Sequence, residues 1–348
     1  MNIRRTILWL MTFLLVACGQ GVDINEVSSS QDNDVNETVH HENEDNNEKR
    51  VLNAQEIVVK DDDAEKKDHN YNSQPLADLY VHYIDVDQAE ATLLQFSDGG
   101  ESYTILYDAG DWTRRDVIDY LSHLEVREID LIIISHPHAD HIGQLADIVY
   151  QFEVGEVWMS GNTSSTQTFQ TAIEAIMASD VDYYEPRAGD MFDIGPLEIE
   201  ILHPLELTNA LNEDSISARM TYGEISFVFT GDAYRNEELY MIERAKQIEA
   251  DILQLGHHGS NTSTDPHFLQ VVNPDVAIYS AGADNSYGHT HQEIVQLVLD
   301  AGIALYGTDT HGTIVIKTDG DTYDILTEKN SEHRTTEQSV QNEVGSIQ

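Results

Sequence analysis

The chain is poor in three things, and each shortage excludes something. It has one cysteine in 348 residues, Cys18, so no internal disulfide can form and no zinc site can be built on thiolates. It has 18 basic residues against 63 acidic, a formal charge of −45. A molecule so short of cations repels polyanions at a distance. A phosphate-bearing substrate therefore needs positive charge brought by something else, such as a bound metal. Past the first twenty residues there is no apolar run long enough to span a bilayer. No basic stripe, no run of stacking aromatics and no internal repeat is visible.

The opening stretch, MNIRRTILWLMTFLLVACGQG, has Arg4 and Arg5, then apolar residues from Thr6 to Val16, then Leu15-Val16-Ala17-Cys18. The run is short and ends in small residues, as a secretory signal does. It resembles the lipobox of bacterial lipoproteins, which implies a signal peptide over 1–18, a lipidated Cys18, and attachment to the outer face of the cell membrane. Residues 19–75 carry 15 acidic and 5 basic residues and almost no aromatics, a composition that cannot offset chain entropy by burial. They are expected to be a disordered acidic tether, with His40, His41 and His69 as solvated bystanders. Residues 328–348 read as a polar tail. What lies between, 76–327, remains strongly acidic and forms one domain.

Along that domain the apolar periodicity changes repeatedly. LYVHYIDV alternates, ATLLQF and YTILYDAG follow as short strands, and TRRDVIDYLSHL has helical spacing. IDLIIIS is an unbroken aliphatic strand of the kind buried on both faces. EVWMS, LEIEILHP, ARMTYGEISFVFTGDA (a hairpin), DILQL, VAIYSAG, ALYG, TIVIKTD and YDILT read as further strands. TFQTAIEAIMAS, NEELYMIERAKQIEA and HQEIVQLVLDAG read as helices. Sheet at each end with helices between predicts an α/β fold, an αββα sandwich of two mixed sheets flanked by helices.

The densest chemistry is LIIISHPHADHIGQL. His136, His138, Asp140 and His141 directly follow the aliphatic strand, where a chain leaving a sheet edge aims its next side chains into a cleft. Imidazole and carboxylate suit zinc and comparable divalent ions. In such a loop, residues i and i+2 can face one ion while i+4 and i+5 face another.

HxHxDH after an aliphatic strand resembles the metallo-β-lactamase superfamily. More closely, the domain is similar to the one carried by ComEC-type DNA-uptake proteins and to phosphorylcholine esterases. YIDVDQAEATLL, LYDAG, SHPHADHIGQL, LHP, NEDSISARMTYGEISFVFTGDA, LGHHGSNTS and YGHTH occur in that subgroup's order. The opening turn departs from it, with Asp87, Ala89 and Glu90 in place of Gly, Gly and Asp. The resemblance implies two divalent ions, zinc or manganese. His136, His138 and His203 would hold the first, Asp140 and His141 the second, and Asp232 would bridge them. Chain order gives the last ligand to His289 and leaves His257 and His258 facing substrate, one as proton donor; the exchanged assignment stays open. Asp140, His257 and His258 are then the expected catalytic residues. His291 is expected at a helix start. His82, His123, His267, His311 and His333 are expected to be surface or core residues, and Asn212 and Ser215 match the subgroup without a mechanism.

The expected activity is hydrolysis, with a small phosphate ester as the leading substrate and DNA a weaker one. Lactams, lactones and thioesters are alternatives on the same scaffold, as is a non-catalytic module of DNA uptake or envelope assembly. Oligomeric state is not legible.

Overall fold

The computed structural model describes residues 76–329. The expected signal, tether and polar tail lie outside them, apart from the first two residues of the tail. The first half of the domain lays down β1 (Leu79–Tyr83), β2 (Thr92–Asp98), β3 (Glu101–Tyr107), β4 (Glu128–Ile134), β5 (Glu153–Met159) and β6 (Asp182–Tyr184). The second half adds β7 (Met191–Ile194), β8 (Leu197–His203), β9 (Ser217–Tyr222), β10 (Ile225–Phe229), β11 (Ile252–Gln254), β12 (Val276–Tyr279) and β13 (Ala304–Gly307). The chain then returns through β14 (Ile314–Thr318) and β15 (Tyr323–Thr327). One sheet runs β15-β14-β1-β2-β3-β4-β5-β6 and the other β13-β12-β11-β10-β9-β8-β7.

Both sheets are mixed. The β3–β4–β5–β6 and β10–β11–β12–β13 pairings are parallel and the remainder antiparallel. Helices α1 (Asp116–His123), α2 (Leu145–Gln151) and α3 (Gln167–Ala178) belong to the first half. Helices α4 (Arg235–Arg244), α5 (Pro266–Val272), α6 (Gln292–Asp300) and the short α7 (Thr308–His311) belong to the second.

Strand β4 shows why the layers number four. Leu131 and Ile133 enter the core between the sheets, with Tyr107, Ile199, Met220, Phe227 and Phe229. Ile132 and Ile134 point the other way and meet Val117, Leu121, Ile148 and Phe169 from α1, α2 and α3. A strand buried on both faces has no polar position to spare. The second sheet repeats the arrangement, with Val228, Leu253 and Ala277 packed against Met241, Phe268, Ile294 and Val298. Strands β6 and β7 and helix α5 go unmarked by periodicity: β6 is exposed throughout, and α5 is short.

Candidate metal centre

The ligand-type side chains collect where parallel strands end. Asp108 follows β3, the loop from Ser135 to His141 follows β4, Asp232 lies just past β10, and His257 and His258 lie just past β11. The general rule for parallel sheets places sites at these carboxyl ends. Three loops are stitched there by backbone bonds. Glu90 N donates to Asp140 O (3.1 Å), Ala109 N to His141 O (2.6 Å), Gly110 N to Glu90 O (2.9 Å), and Gly143 N to Gly110 O (2.9 Å). Across the sandwich, Gly231 in a left-handed conformation lets Asp232 approach: a Cβ on it would lie 2.7 Å from the Ser135 Cβ. Ser215 fixes the same turn, its Oγ accepting from Asp232 N (3.1 Å) and donating to Asn212 O (2.7 Å). Asn212 in turn donates to the Tyr234 hydroxyl (3.2 Å), and that ring stacks on His257. These two residues frame the Asp232 carboxylate.

Four imidazoles share one arrangement. His141 donates from Nδ1 to Asp108 (2.8 Å), which also accepts from the Ser135 N–H and hydroxyl. Because the Ser135 proton goes to Asp108, His136 Nδ1 donates to the Ser135 oxygen (3.1 Å). His258 Nδ1 donates to Ser280 O (3.0 Å). The Thr262 hydroxyl is spent on Ser260, so His257 Nδ1 donates to Thr262 (2.8 Å). With Nδ1 held, each ring turns Nε2 towards the carboxylates, the orientation that outer hydrogen bonds impose on metal-binding histidines.

The contacts sort into two sets. His136 Nε2 and His257 Nε2 lie 3.6 and 3.5 Å from Asp232 Oδ2, and His136 Nε2 is 2.9 Å from His138 Nδ1. His141 Nε2 lies 3.3 Å from the other oxygen, Asp232 Oδ1, and 3.9 Å from Asp140; His258 Nε2 is 3.4 Å from Asp140. Nitrogens bound to one tetrahedral zinc stand roughly 3.3 Å apart, given Zn–N bonds of about 2.05 Å.

Electrostatics agree. Burial alone would raise Asp140, but His141 and the contact from His258 hold it below the usual carboxylate range; His141 and His136 do the same for buried Asp232. Burial would lower His258, yet Asp140 and Asp232 drive it up to about 9, and Asp232, Asp108 and Asp140 likewise lift His141. The carboxylates demand positive charge between themselves and the rings. Buried His141 Nε2, His258 Nε2 and Asp232 Oδ1 have no hydrogen-bond partner. Donor types, spacing and orphaned atoms all fit a pair of divalent ions.

Two expected ligands are not in either set. His203 lines a separate cavity of about 190 Å³ with Glu213, Asp214, Glu237, Tyr240 and Arg244. An irregularity in the β8–β9 register at Ile201 and His203 is the cause, since a bulge breaks side-chain alternation and turns this strand end towards α4. His289 stands farther out, its ring stacked 6.0 Å from His258 and edge-on to His257 at 5.4 Å. The second set is completed by His258 instead. His257, expected to face substrate as a proton donor, lies in the first set, with its Nδ1 engaged by Thr262 and its Nε2 turned to Asp232. Of the expected site residues, His136, His138, Asp140, His141 and Asp232 converge as expected.

Asp108 and Glu90 were not anticipated as site residues. Their carboxylates and His141 lie within 4.8 Å of one another, and burial pushes Glu90 up to about 8. The Asp-Ala-Gly turn after β3 was the available signal for Asp108; Glu90 had none beyond its place in the opening turn. A cavity of about 730 Å³ lies elsewhere, beside Tyr120, and is lined by Asp85, Asp116, Asp119 and Glu328.

A four-layer sandwich with two histidine–carboxylate sets at its strand ends defines a metallohydrolase scaffold. The chain belongs to the metallo-beta-lactamase superfamily, whose family model matches residues 84–283. It is 29% identical to ComE operon protein 3 of Bacillus subtilis over 221 residues, which is 61% of this chain and 28% of that protein. It is also 29% identical to Recombination protein 2 of Haemophilus influenzae over 242 residues, 67% of this chain and 28% of that one. Competence protein ComA of Neisseria gonorrhoeae is 28% identical over 217 residues, 60% of this chain and 28% of that protein. The chain thus spans little more than a quarter of these relatives. Among solved structures, the metallo-beta-lactamase fold protein YhfI from Bacillus subtilis overlays 70% of this chain and 100% of its own, at 14% identity and a TM-score of 0.47.

Proposed function

We propose that the protein is a metal-dependent phosphodiesterase, tethered outside the cell membrane through a lipidated Cys18. The observation that carries the reading is the Asp232 carboxylate, whose two oxygens face different sets of histidine nitrogens. His136, His138, His257 and Asp232 would hold one divalent ion; Asp140, His141, His258 and Asp232 would hold the other, with zinc or manganese suited to these donors. Bound there, the pair supplies Lewis acidity and a water acidified towards neutrality, suited to in-line displacement at phosphorus. The protein's own contribution is orientation. Asp108, Ser135, Thr262 and Ser280 hold the imidazoles, Ser215 and Gly231 aim Asp232, and half-buried His289 is left to meet substrate.

Low overall charge on the substrate follows from the surroundings. Six of the ten basic residues among those described, Arg114, Arg115, Arg187, Arg235, Lys317 and Lys329, are each paired with a carboxylate, so little cationic surface remains there to collect a polynucleotide. A small diester fits better than DNA.

The test is to measure metal content and the hydrolysis of bis-p-nitrophenyl phosphate with zinc or manganese, beside Asp140→Ala. Turnover in the parent and a loss of at least about a hundredfold in the variant is the expected result. Turnover of nitrocefin or a lactone alone would move the protein to another hydrolase class, and metal binding without any turnover would make it a binding module. Labelled single-stranded DNA is expected to stay intact where the diester is cut.

A further inference from the structure

The outer histidine, His289, is held unlike the four inner ones. Its Nδ1 lies 3.2 Å from the side-chain nitrogen of Gln88, which is half-buried in the turn after β1. Which end of the Gln88 amide faces His289 is settled by its other contact: the amide oxygen accepts from Gly282 N at 3.2 Å. The NH₂ end therefore donates, and Nδ1 of His289 accepts. A neutral imidazole that accepts at Nδ1 carries its proton on Nε2. The loop is braced to keep that ring in place, since Asn285 Oδ1 accepts from His289 N (3.0 Å) and Asn285 Nδ2 donates to Gly282 O (2.8 Å). Inner rings present a lone pair to a cation; this one presents an N–H.

We propose that Gln88 is a positioning residue that sets the tautomer of His289, making Nε2–H a hydrogen-bond donor to a phosphoryl or leaving oxygen at the metal centre. The acceptor's identity rests on the diesterase reading; the tautomer does not. Gln88→Glu inverts the arrangement, because a carboxylate accepts from Gly282 N and from His289, moving the imidazole proton to Nδ1 and leaving Nε2 as an acceptor that repels a phosphoryl oxygen. Gln88→Leu imposes no tautomer.

Two measurements test this on the full-length, zinc-loaded protein. Long-range ¹H–¹⁵N NMR of histidine-labelled protein should show His289 protonated at Nε2 in the parent and at Nδ1 in Gln88→Glu. A parent protonated at Nδ1 overturns the proposal, whatever the substrate proves to be. In turnover of bis-p-nitrophenyl phosphate, Gln88→Glu should lose about 10- to 100-fold in kcat, in the range of a lost transition-state donor at a half-open site, with zinc content unchanged. Gln88→Leu should lose less than about fivefold, and Gln88→Glu should add no loss in a His289→Ala background. Equal losses in the Glu and Leu variants, or a further loss in the double variant, would show a merely structural or charge effect and overturn it. A parent without diesterase turnover but with the expected NMR pattern sinks the substrate class and leaves the tautomer standing.

Discussion

Asp108 shows how much one buried side chain can decide. Its carboxylate accepts three hydrogen bonds, two from Ser135 and one from His141, and through Ser135 it also orients His136. Replacing it with Asn keeps the shape but offers N–H where acceptors are needed. Asp108→Asn is expected to weaken zinc binding by about 10- to 100-fold, as loss of such a supporting group typically does, with the fold retained. Competition against a chromophoric chelator measures this; unchanged affinity would mean the His141 ring is held by packing alone. At this scale the sequence was partly legible. The spacing of His136, His138, Asp140 and His141 marked them, because one short loop carries all four. His257, His258 and His289 could not be ranked, because their roles depend on which ring nitrogen is engaged, and the partners Thr262, Ser280 and Gln88 include residues far away in the chain.

Among elements, the turn after β3 and the start of α2 act as one piece. Gly143 packs on the backbone of Gly110, Asp111 and Trp112, so closely that a Cβ there would overlap all three. Gly143→Ala must push the Asp108 turn away from His141. It should cost about 3 kcal/mol, the upper end of overpacking since backbone rather than side chain must yield, and lower Tm by several degrees. It should also weaken metal binding, although no ligand is altered. Calorimetry with and without zinc tests both; a normal Tm would mean the turn relaxes freely. Alternation and helical spacing revealed most strands and the longer helices, because burial on one or both faces writes itself into the chain. They failed at β6 and β7, whose burial pattern is weak. At His203 the failure was of another kind: the register irregularity changes a side chain's face while leaving the apolar pattern intact.

The whole molecule ties its stability to the centre. With chelator present, His258 is raised to about 9 from an ordinary 6.5, so its contribution is complete below pH 6.5 and is lost as pH rises through 9. Glu90, pushed up to about 8 by burial, acts in the same direction, because its neutral form is preferred in the fold and ionising it above pH 4.5 costs stability. Chelated protein should therefore melt at progressively lower temperature from about pH 6.5 to 9. Zinc should flatten or reverse that slope, since ions replace the protons the carboxylates otherwise require. At about a hundredfold excess over Kd, zinc should add about 2.7 kcal/mol. Melting curves across pH, with and without zinc, check the sign, and a chelated protein that gains stability towards pH 9 would contradict the site electrostatics.

The path of the chain between the two sheets has a bearing on synthesis. Strand β1 pairs with β14, and β14 with β15, so the first sheet awaits partners more than two hundred residues downstream. A nascent chain that has already emitted every converging histidine and aspartate up to His258 still carries an open β1 edge until Thr318 has emerged. Nonsense truncations between residues 300 and 313 should consequently yield aggregates rather than a smaller folded domain, even though all seven converging side chains are present.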